Sequence, residues 1–271
     1  MHIVTVANKS EGYFDYLVES CKRNGGKLEV LGWGQEWKGF IMKIHLFQEY
    51  LNKLDDDDIV CFVDGYDVII LQPIDKIETL FRNSGKKILI SIESPGNIIP
   101  FYDMLIKYLY FGEYKNYRIN SGTFIGYVKY LKELYNNVCN DYNCNDKNLD
   151  DQKILTEMCN KYNDNDVDID INNDIFLVIS SFDSYKRTNC EMQNNQLVFN
   201  NNIKPCILHG CANYNLNNIL KKLDYNIDKV KYRDNLPYLL KSTIFKIIIK
   251  MIIIIIIVII IIIFNKYNNK N

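Results

Sequence analysis

The segment Ile59-Val60-Cys61-Phe62-Val63-Asp64-Gly65-Tyr66-Asp67-Val68-Ile69-Ile70-Leu71 sets two carboxylates and a glycine inside an apolar run rich in β-branched residues. Such a run reads as a buried strand, and carboxylates at its end need a partner. Asp64 and Asp67, three residues apart at a strand mouth, suit a hard divalent cation such as Mg²⁺ or Mn²⁺, which takes oxygen ligands and bridges phosphates. The competing reading is an Asp-Gly hairpin, with residues 59–63 and 67–71 paired around a type I′ turn.

The surrounding pattern says what kind of sheet this strand joins. Residues 2–7 read as a short buried strand, 13–23 show helical spacing in Phe14, Leu17, Val18 and Cys21, and 27–31 make a second strand after Gly25-Gly26. A β-α-β start implies a parallel sheet with helices on its faces. Helices are predicted over 40–54, 74–81, 130–139 and 153–162, and strands over 87–92, 120–127, 175–179 and 205–210. The asparagine runs Asn172-Asn173, Asn194-Asn195 and Asn200–Asn202 read as loops, and 189–202 as a polar loop. Asp55–Asp58 precedes the organising strand, opens onto the opposite sheet edge from Asp64, and reads as a solvated loop.

Composition removes some functions. With 271 residues and 48% hydrophobic content the chain can build one large domain or two small ones. Its net charge of −1 lacks the basic excess of a nucleic-acid binder, so no DNA or RNA partner is expected. Eight cysteines are scattered without a CxxC pair. The start Met1-His2-Ile3-Val4-Thr5-Val6-Ala7 lacks the basic and apolar regions of a signal peptide, so reduced thiols are expected. Cys61 and Cys206 sit in apolar runs and read as core residues.

Four further places carry chemistry, three of them with a plain alternative. Trp33 and Trp37 stand in a glycine-containing loop after the second strand, suited to stacking on a nucleobase or to core packing. Asn120-Ser121-Gly122 gives the strand over 120–127 a small-residue entry, where a backbone can approach a ligand closely. Asp150 and Asp151 either cap the following helix or face the pocket of Asp64 and handle sugar hydroxyls. His209 ends a short strand, as an ordinary polar residue or as an imidazole joining the two carboxylates.

Taken in order, Val4-Thr5-Val6-Ala7 with Glu11-Gly12-Tyr13, Leu31-Gly32-x-Gly34-x-Glu36-Trp37, Phe62-Val63-Asp64-x-Tyr66-Asp67-Val68, Asn120-Ser121-Gly122-x-Phe124-Ile125-Gly126, Asp150-Asp151-Gln152 and His209-Gly210 form one series over residues 2–215. The series resembles the glycosyltransferase domain of the multifunctional procollagen lysyl hydroxylases and their relatives in giant viruses. That resemblance implies an α/β, GT-A-like (Rossmann-like) fold with a mixed, mostly parallel sheet flanked by helices. It further implies a Mn²⁺-dependent UDP-sugar site and retaining transfer of glucose from UDP-glucose to galactosyl-hydroxylysine of collagen or a collagen-like protein. Asp64, Asp67 and His209 match the family's metal ligands. Thr5, Trp37, Lys43, Tyr66 and Gly210 match positions around UDP, Asn120 one in the sugar pocket, and Asp150 and Asp151 the acids needed for transfer.

The chain also departs from that pattern. Lys147-Asn148-Leu149 shortens the family's aspartate run before Gln152 to two acids. Cys211-Ala212-Asn213-Tyr214-Asn215 stands where a diphosphate-side lysine is expected, and Pro95-Gly96-Asn97-Ile98-Ile99-Pro100 replaces a Trp-bearing loop after Glu93. Three alternatives therefore stay open: a hydroxylysine galactosyltransferase using UDP-galactose, a metal-dependent phosphohydrolase, and a non-catalytic, membrane-tethered sugar-binding or interaction module.

The expected organisation is a transferase domain over 1–223, a basic linker over 224–243, a transmembrane helix over 244–264 and a polar tail over 265–271. Residues 244–264 are apolar except for Lys246 and Lys250, and long enough to span a bilayer; the lysines lie near one end and can snorkel. If it inserts, then with no signal peptide it reads as a C-terminal tail anchor holding a cytoplasmic catalytic domain; the alternative is a soluble Ile-rich tract arising from AT-rich coding sequence.

Overall fold

A computed structural model describes residues 1–94, 112–136, 138–142, 149–162, 165–180, 183, 185–211, 214–227, 251 and 254–255. The chain divides into two compact units, Met1–Lys231 and Tyr232–Asn271. Of the second, only Met251, Ile254 and Ile255 are described; they are helical and exposed. Among the described residues no helix is long and apolar enough to cross a membrane. The rest of 244–264, the polar tail, most of the linker, Pro95–Pro100 and Lys147-Asn148 lie outside the described residues.

The strands in chain order are β1 (His2–Val6), β2 (Leu28–Leu31), β3 (Ile59–Val63), β4 (Val68–Ile70), β5 (Ile88–Ile92), β6 (Ile119–Tyr127), β7 (Val167–Ile169), β8 (Phe176–Ser180), β9 (Cys190–Gln193), β10 (Gln196–Phe199) and β11 (Ile207–Cys211). Six of them form one sheet in the order β2-β1-β3-β6-β5-β7. Within it β1 runs parallel to β2 and β3, and β5 parallel to β7, while β6 is antiparallel to both β3 and β5. The sheet is thus mixed and mostly parallel, as the β-α-β start implies. A second sheet, β4-β11-β8, has β11 antiparallel to β4 and parallel to β8.

Successive side chains of a strand point to opposite faces, and both faces of β3 are covered. Val60 and Phe62 pack with Ile41, Ile44 and Phe47 of the helix Phe40–Leu51 and with Ile154 and Leu155 of the helix Asp151–Lys161. Ile59, Cys61 and Val63 pack instead with Leu17 and Cys21 of the helix Phe14–Arg23 and with Ile77 and Phe81 of the helix Ile74–Ser84. Burial on both sides is why β3 is apolar throughout. At the centre of the first layer Phe62 and Phe124 stack with centroids 5.0 Å apart, and Phe47 meets each edge-on. Cys61 and Cys206 are fully buried core residues, and Cys21, Cys61, Cys159, Cys190, Cys206 and Cys211 are free thiols.

Two sequence expectations are corrected here. The apolar run is neither one strand nor a hairpin: β3 belongs to the six-stranded sheet and β4 to the three-stranded one, so Asp64–Asp67 crosses between sheets. The polar stretch 189–202, expected as loop, instead holds the antiparallel pair β9 and β10. Its turn is made by Asn194 and Asn195, whose φ values of 49° and 60° are left-handed. Asparagine tolerates that region better than other non-glycine residues, and two such residues make a type I′ hairpin.

Candidate active site

The crossing from β3 to β4 is pinned at both ends by backbone bonds. The Asp64 N–H donates to Gly122 O of β6 at 2.8 Å, and the Gly210 N–H of β11 donates to Asp67 O at 2.8 Å. In β11, His209 lies opposite Val68 of β4, so the register brings the imidazole to the loop that carries the acids. Its Nε2 is 3.3 Å from Asp67 Oδ1 and 3.8 Å from Asp64 Oδ2. One ligand atom from each of the three residues lies within 4.8 Å of the others. His209 is 3% exposed, whereas both acids are partly open to solvent. Burial alone lowers the imidazole pKa, but the carboxylates of Asp67, Asp64 and Glu93 outweigh it and hold that pKa above its ordinary value.

Two carboxylates and one imidazole suit a divalent cation of the Mn²⁺ class, and Gly122 lets the imidazole and Asp64 come close against the backbone of β6. A Cβ on Gly122 would collide with the His209 ring and lie 2.5 Å from Asp64 Oδ2. The floor of this space is the small-residue entry of β6. Asn120 Oδ1 accepts the Gly122 N–H at 2.9 Å and lies 3.0 Å from His209 Nδ1, while Asn120 Nδ2 donates to Glu93 Oε2 at 2.8 Å.

Lys43 enters from the opposite side. Its Nζ donates to Asp64 Oδ1 and to Asp151 Oδ2, each at 2.7 Å, and to Ser121 O at 3.3 Å. Burial works against this charge, and Asp151 and Asp64 more than offset it, keeping the lysine pKa above its ordinary value. Ser121 Oγ also donates to Asp151 Oδ2, at 2.9 Å. Asp150 and Asp151 therefore lie in different surroundings. Asp150 caps its helix, Oδ1 accepting the Lys153 N–H at 3.0 Å, and Asp151 turns inward toward Asp64. Burial pushes the Asp150 carboxyl above the usual carboxylate range.

The remaining expected residues are spread around the first loops. Thr5 is fully buried, and its Oγ1 has no hydrogen-bond partner among the described residues. The Tyr66 hydroxyl donates to Asn8 Oδ1 at 2.9 Å and accepts the Asn8 N–H at 3.1 Å. Neither tryptophan is in the core: Trp33 is 53% and Trp37 42% exposed, with Trp33 stacked on Phe14 and Trp37 edge-on to Phe40. Glu93 and Ser121 were not foreseen as site residues. Small side chains in an otherwise bulky β6 were the available signal for Ser121, and a lone carboxyl at a strand end gave none for Glu93.

Residues 1–233 match the family model described as the PLOD GT domain. The chain belongs to that family. As a PLOD GT domain it is a glycosyltransferase domain, and the match takes in every site residue named above while ending before residues 244–264. The chain is 28% identical over 247 residues to procollagen-lysine,2-oxoglutarate 5-dioxygenase of Drosophila melanogaster, covering 83% of this chain and 31% of that protein. It is 30% identical over 143 residues to human multifunctional procollagen lysine hydroxylase and glycosyltransferase LH3, covering 49% and 19%. The chain thus spans less than a third of the length of these relatives. Among solved structures, apo mouse xyloside xylosyltransferase 1 aligns with 79% of this chain and 98% of its own at a TM-score of 0.45 and 12% identity. Galactosyltransferase LgtC with donor and acceptor sugar analogs aligns with 79% and 88% at a TM-score of 0.44 and 15% identity.

Proposed function

We propose that this PLOD GT domain is a metal-dependent, retaining hexosyltransferase that moves glucose from UDP-glucose to galactosyl-hydroxylysine of collagen or a collagen-like protein. The observation that carries the reading is the convergence of Asp64, Asp67 and His209, which come from two distant chain segments and three backbone environments, on one small space. These three residues would hold the cation, Mn²⁺ in this reading. When bound, it supplies Lewis-acid stabilisation for the charge that grows on the diphosphate as the sugar–phosphate bond breaks.

The chain's own residues support the rest of the site. Lys43 keeps Asp64 and Asp151 side by side despite their like charge. Of the two acids expected to act on the sugars, Asp151 is the one turned toward the site, where it is available to orient an acceptor hydroxyl or face an electron-poor sugar carbon. The exposed face of Trp37 supports stacking on the uracil. The unpaired Thr5 hydroxyl supports a polar ligand contact beside the same loops.

UDP release from UDP-glucose or UDP-galactose with Mn²⁺, with and without a galactosyl-hydroxylysine peptide, tests the reading. Acceptor-stimulated release from UDP-glucose is expected. Release from UDP-galactose with a hydroxylysine peptide would replace the donor and acceptor, inorganic phosphate would point to a phosphohydrolase, and binding of UDP-sugar without release would make the domain a non-catalytic module. The apolar composition of residues 244–264 supports a separate reading, attachment of the domain to a membrane. Carbonate extraction of a reporter fused to that segment tests it, and full extraction would end it.

A further inference from the structure

His209 is held from behind as firmly as it is flanked by acids in front. A backbone N–H can only donate, so the Asn120 atom that meets the Gly122 N–H is the amide oxygen. The far end of the amide agrees, because Nδ2 meets a Glu93 oxygen at 2.8 Å and a carboxylate accepts. Glu93 is itself fixed: its Oε1 receives the Ser94 N–H at 2.8 Å and the Cys211 S–H at 3.3 Å. With the amide oriented from both ends, the ring nitrogen 3.0 Å from Oδ1 must be the donor. The proton of the neutral imidazole sits on Nδ1, and Nε2 keeps a lone pair toward Asp67 and Asp64.

This matters because the acids pull the other way. Without an acceptor behind the ring, a neutral imidazole next to two carboxylates places its single proton on Nε2, facing them, where it competes with a cation for the same lone pair. We propose that Asn120, oriented by Glu93, is a positioning residue that locks His209 as the Nδ1–H tautomer and so reserves Nε2 for the cation shared with Asp64 and Asp67. The inference rests on the cation reading above and assigns Asn120 work on the ring rather than on a sugar. Partners of this kind behind a metal-bound histidine typically change metal affinity 10–100-fold when removed.

The test uses the full chain. In protein labelled with ¹⁵N-histidine and loaded with UDP and Zn²⁺ as a diamagnetic probe, long-range ¹H–¹⁵N spectra are expected to show His209 protonated at Nδ1 and metal-bound at Nε2. Metal on Nδ1 overturns the proposal, and this measurement needs no variant to fold. Asn120→Ala is expected to weaken Mn²⁺ binding about 10–100-fold, read from the electron paramagnetic resonance signal of free Mn²⁺. The double variant Asn120→Asp with Glu93→Gln, which exchanges the acid and the amide and so keeps both their hydrogen bond and an acceptor oxygen behind Nδ1, is expected to recover most of that loss. Unchanged affinity in Asn120→Ala, or a double variant Asn120→Asp with Glu93→Gln as weak as Asn120→Ala, overturns the proposal while leaving the cation site standing. If the unaltered chain with UDP binds neither Mn²⁺ nor Zn²⁺, the cation reading falls and this inference with it.

Discussion

The Lys43 ammonium lies 2.7 Å from Asp64 Oδ1, so the helix Phe40–Leu51 reaches the strand-end acid directly. The same Nζ is 2.7 Å from Asp151, which makes a buried cation the link between two like-charged groups. Removing one partner of a buried pair leaves uncompensated charge and costs about 3–5 kcal/mol. Because Asp64 is partly exposed, Lys43→Met is expected to lose less, about 2–3 kcal/mol in metal-free urea unfolding. A loss under about 0.5 kcal/mol would mean that water already screens the pair.

Gly122 has no Cβ where one would strike the His209 ring and Asp64. Gly122→Ala is expected to weaken Mn²⁺ binding more than tenfold, and overpacking should cost about 1–3 kcal/mol of stability. Isothermal titration with Mn²⁺ and UDP, beside thermal unfolding, reads both. Affinity equal to that of the parent chain would show that the methyl is absorbed elsewhere.

Asp64→Ala is expected to fold and to lose turnover, because it removes one of three converging donors. A ligand bound only by the folded state raises Tm. Mn²⁺ with UDP should therefore raise the Tm of the parent chain and leave that of Asp64→Ala unmoved. Full activity of the variant in added Mn²⁺ would refute the metal assignment.

Asp150 and Asp151 are separable by conservative replacement. Asparagine caps helices as well as aspartate does, so Asp150→Asn should stay within about 0.5 kcal/mol of the parent stability, whereas Asp150→Ala should lose about 1 kcal/mol. Asp151→Asn removes the charge that faces Lys43, and turnover should fall further with it than with Asp150→Asn. The reverse order, measured by UDP release, would return the acid role to Asp150.

Phe62 stacks on Phe124 and meets Phe47 edge-on, with 1% of its surface exposed. Phe62→Ala is expected to cost about 3–5 kcal/mol. Chemical denaturation measures it, and a cost below about 1 kcal/mol would show that the surrounding layer collapses into the gap.

How far these features were readable in the chain depended on how local their causes are. The uninterrupted apolar letters of β3 declared burial on both faces, and the β-α-β start declared a largely parallel sheet. Asp64-Gly65 satisfies the local rule for a hairpin turn, and what defeats it is β11, a partner far along the chain that claims β4. Asn194 and Asn195 were readable as a turn, but the short strands beside them were hidden by polar composition, since β9 buries only its first residue. Lys43, flanked by Met42 and Ile44 on a buried helix face, was a signal for a charged partner, yet sequence alone did not say that the partners would be acids of this same site.

The crossing at Asp64–Asp67 has one more implication. Asp64 hangs from the six-stranded sheet through Gly122, while Asp67 and His209 hang from the three-stranded sheet through β4 and β11. An ion gripped by all three would rivet the two sheets together at this crossing, adding a charged tie to the apolar core that Ile59, Cys61 and Val63 already share with Val68, Ile70 and Ile207.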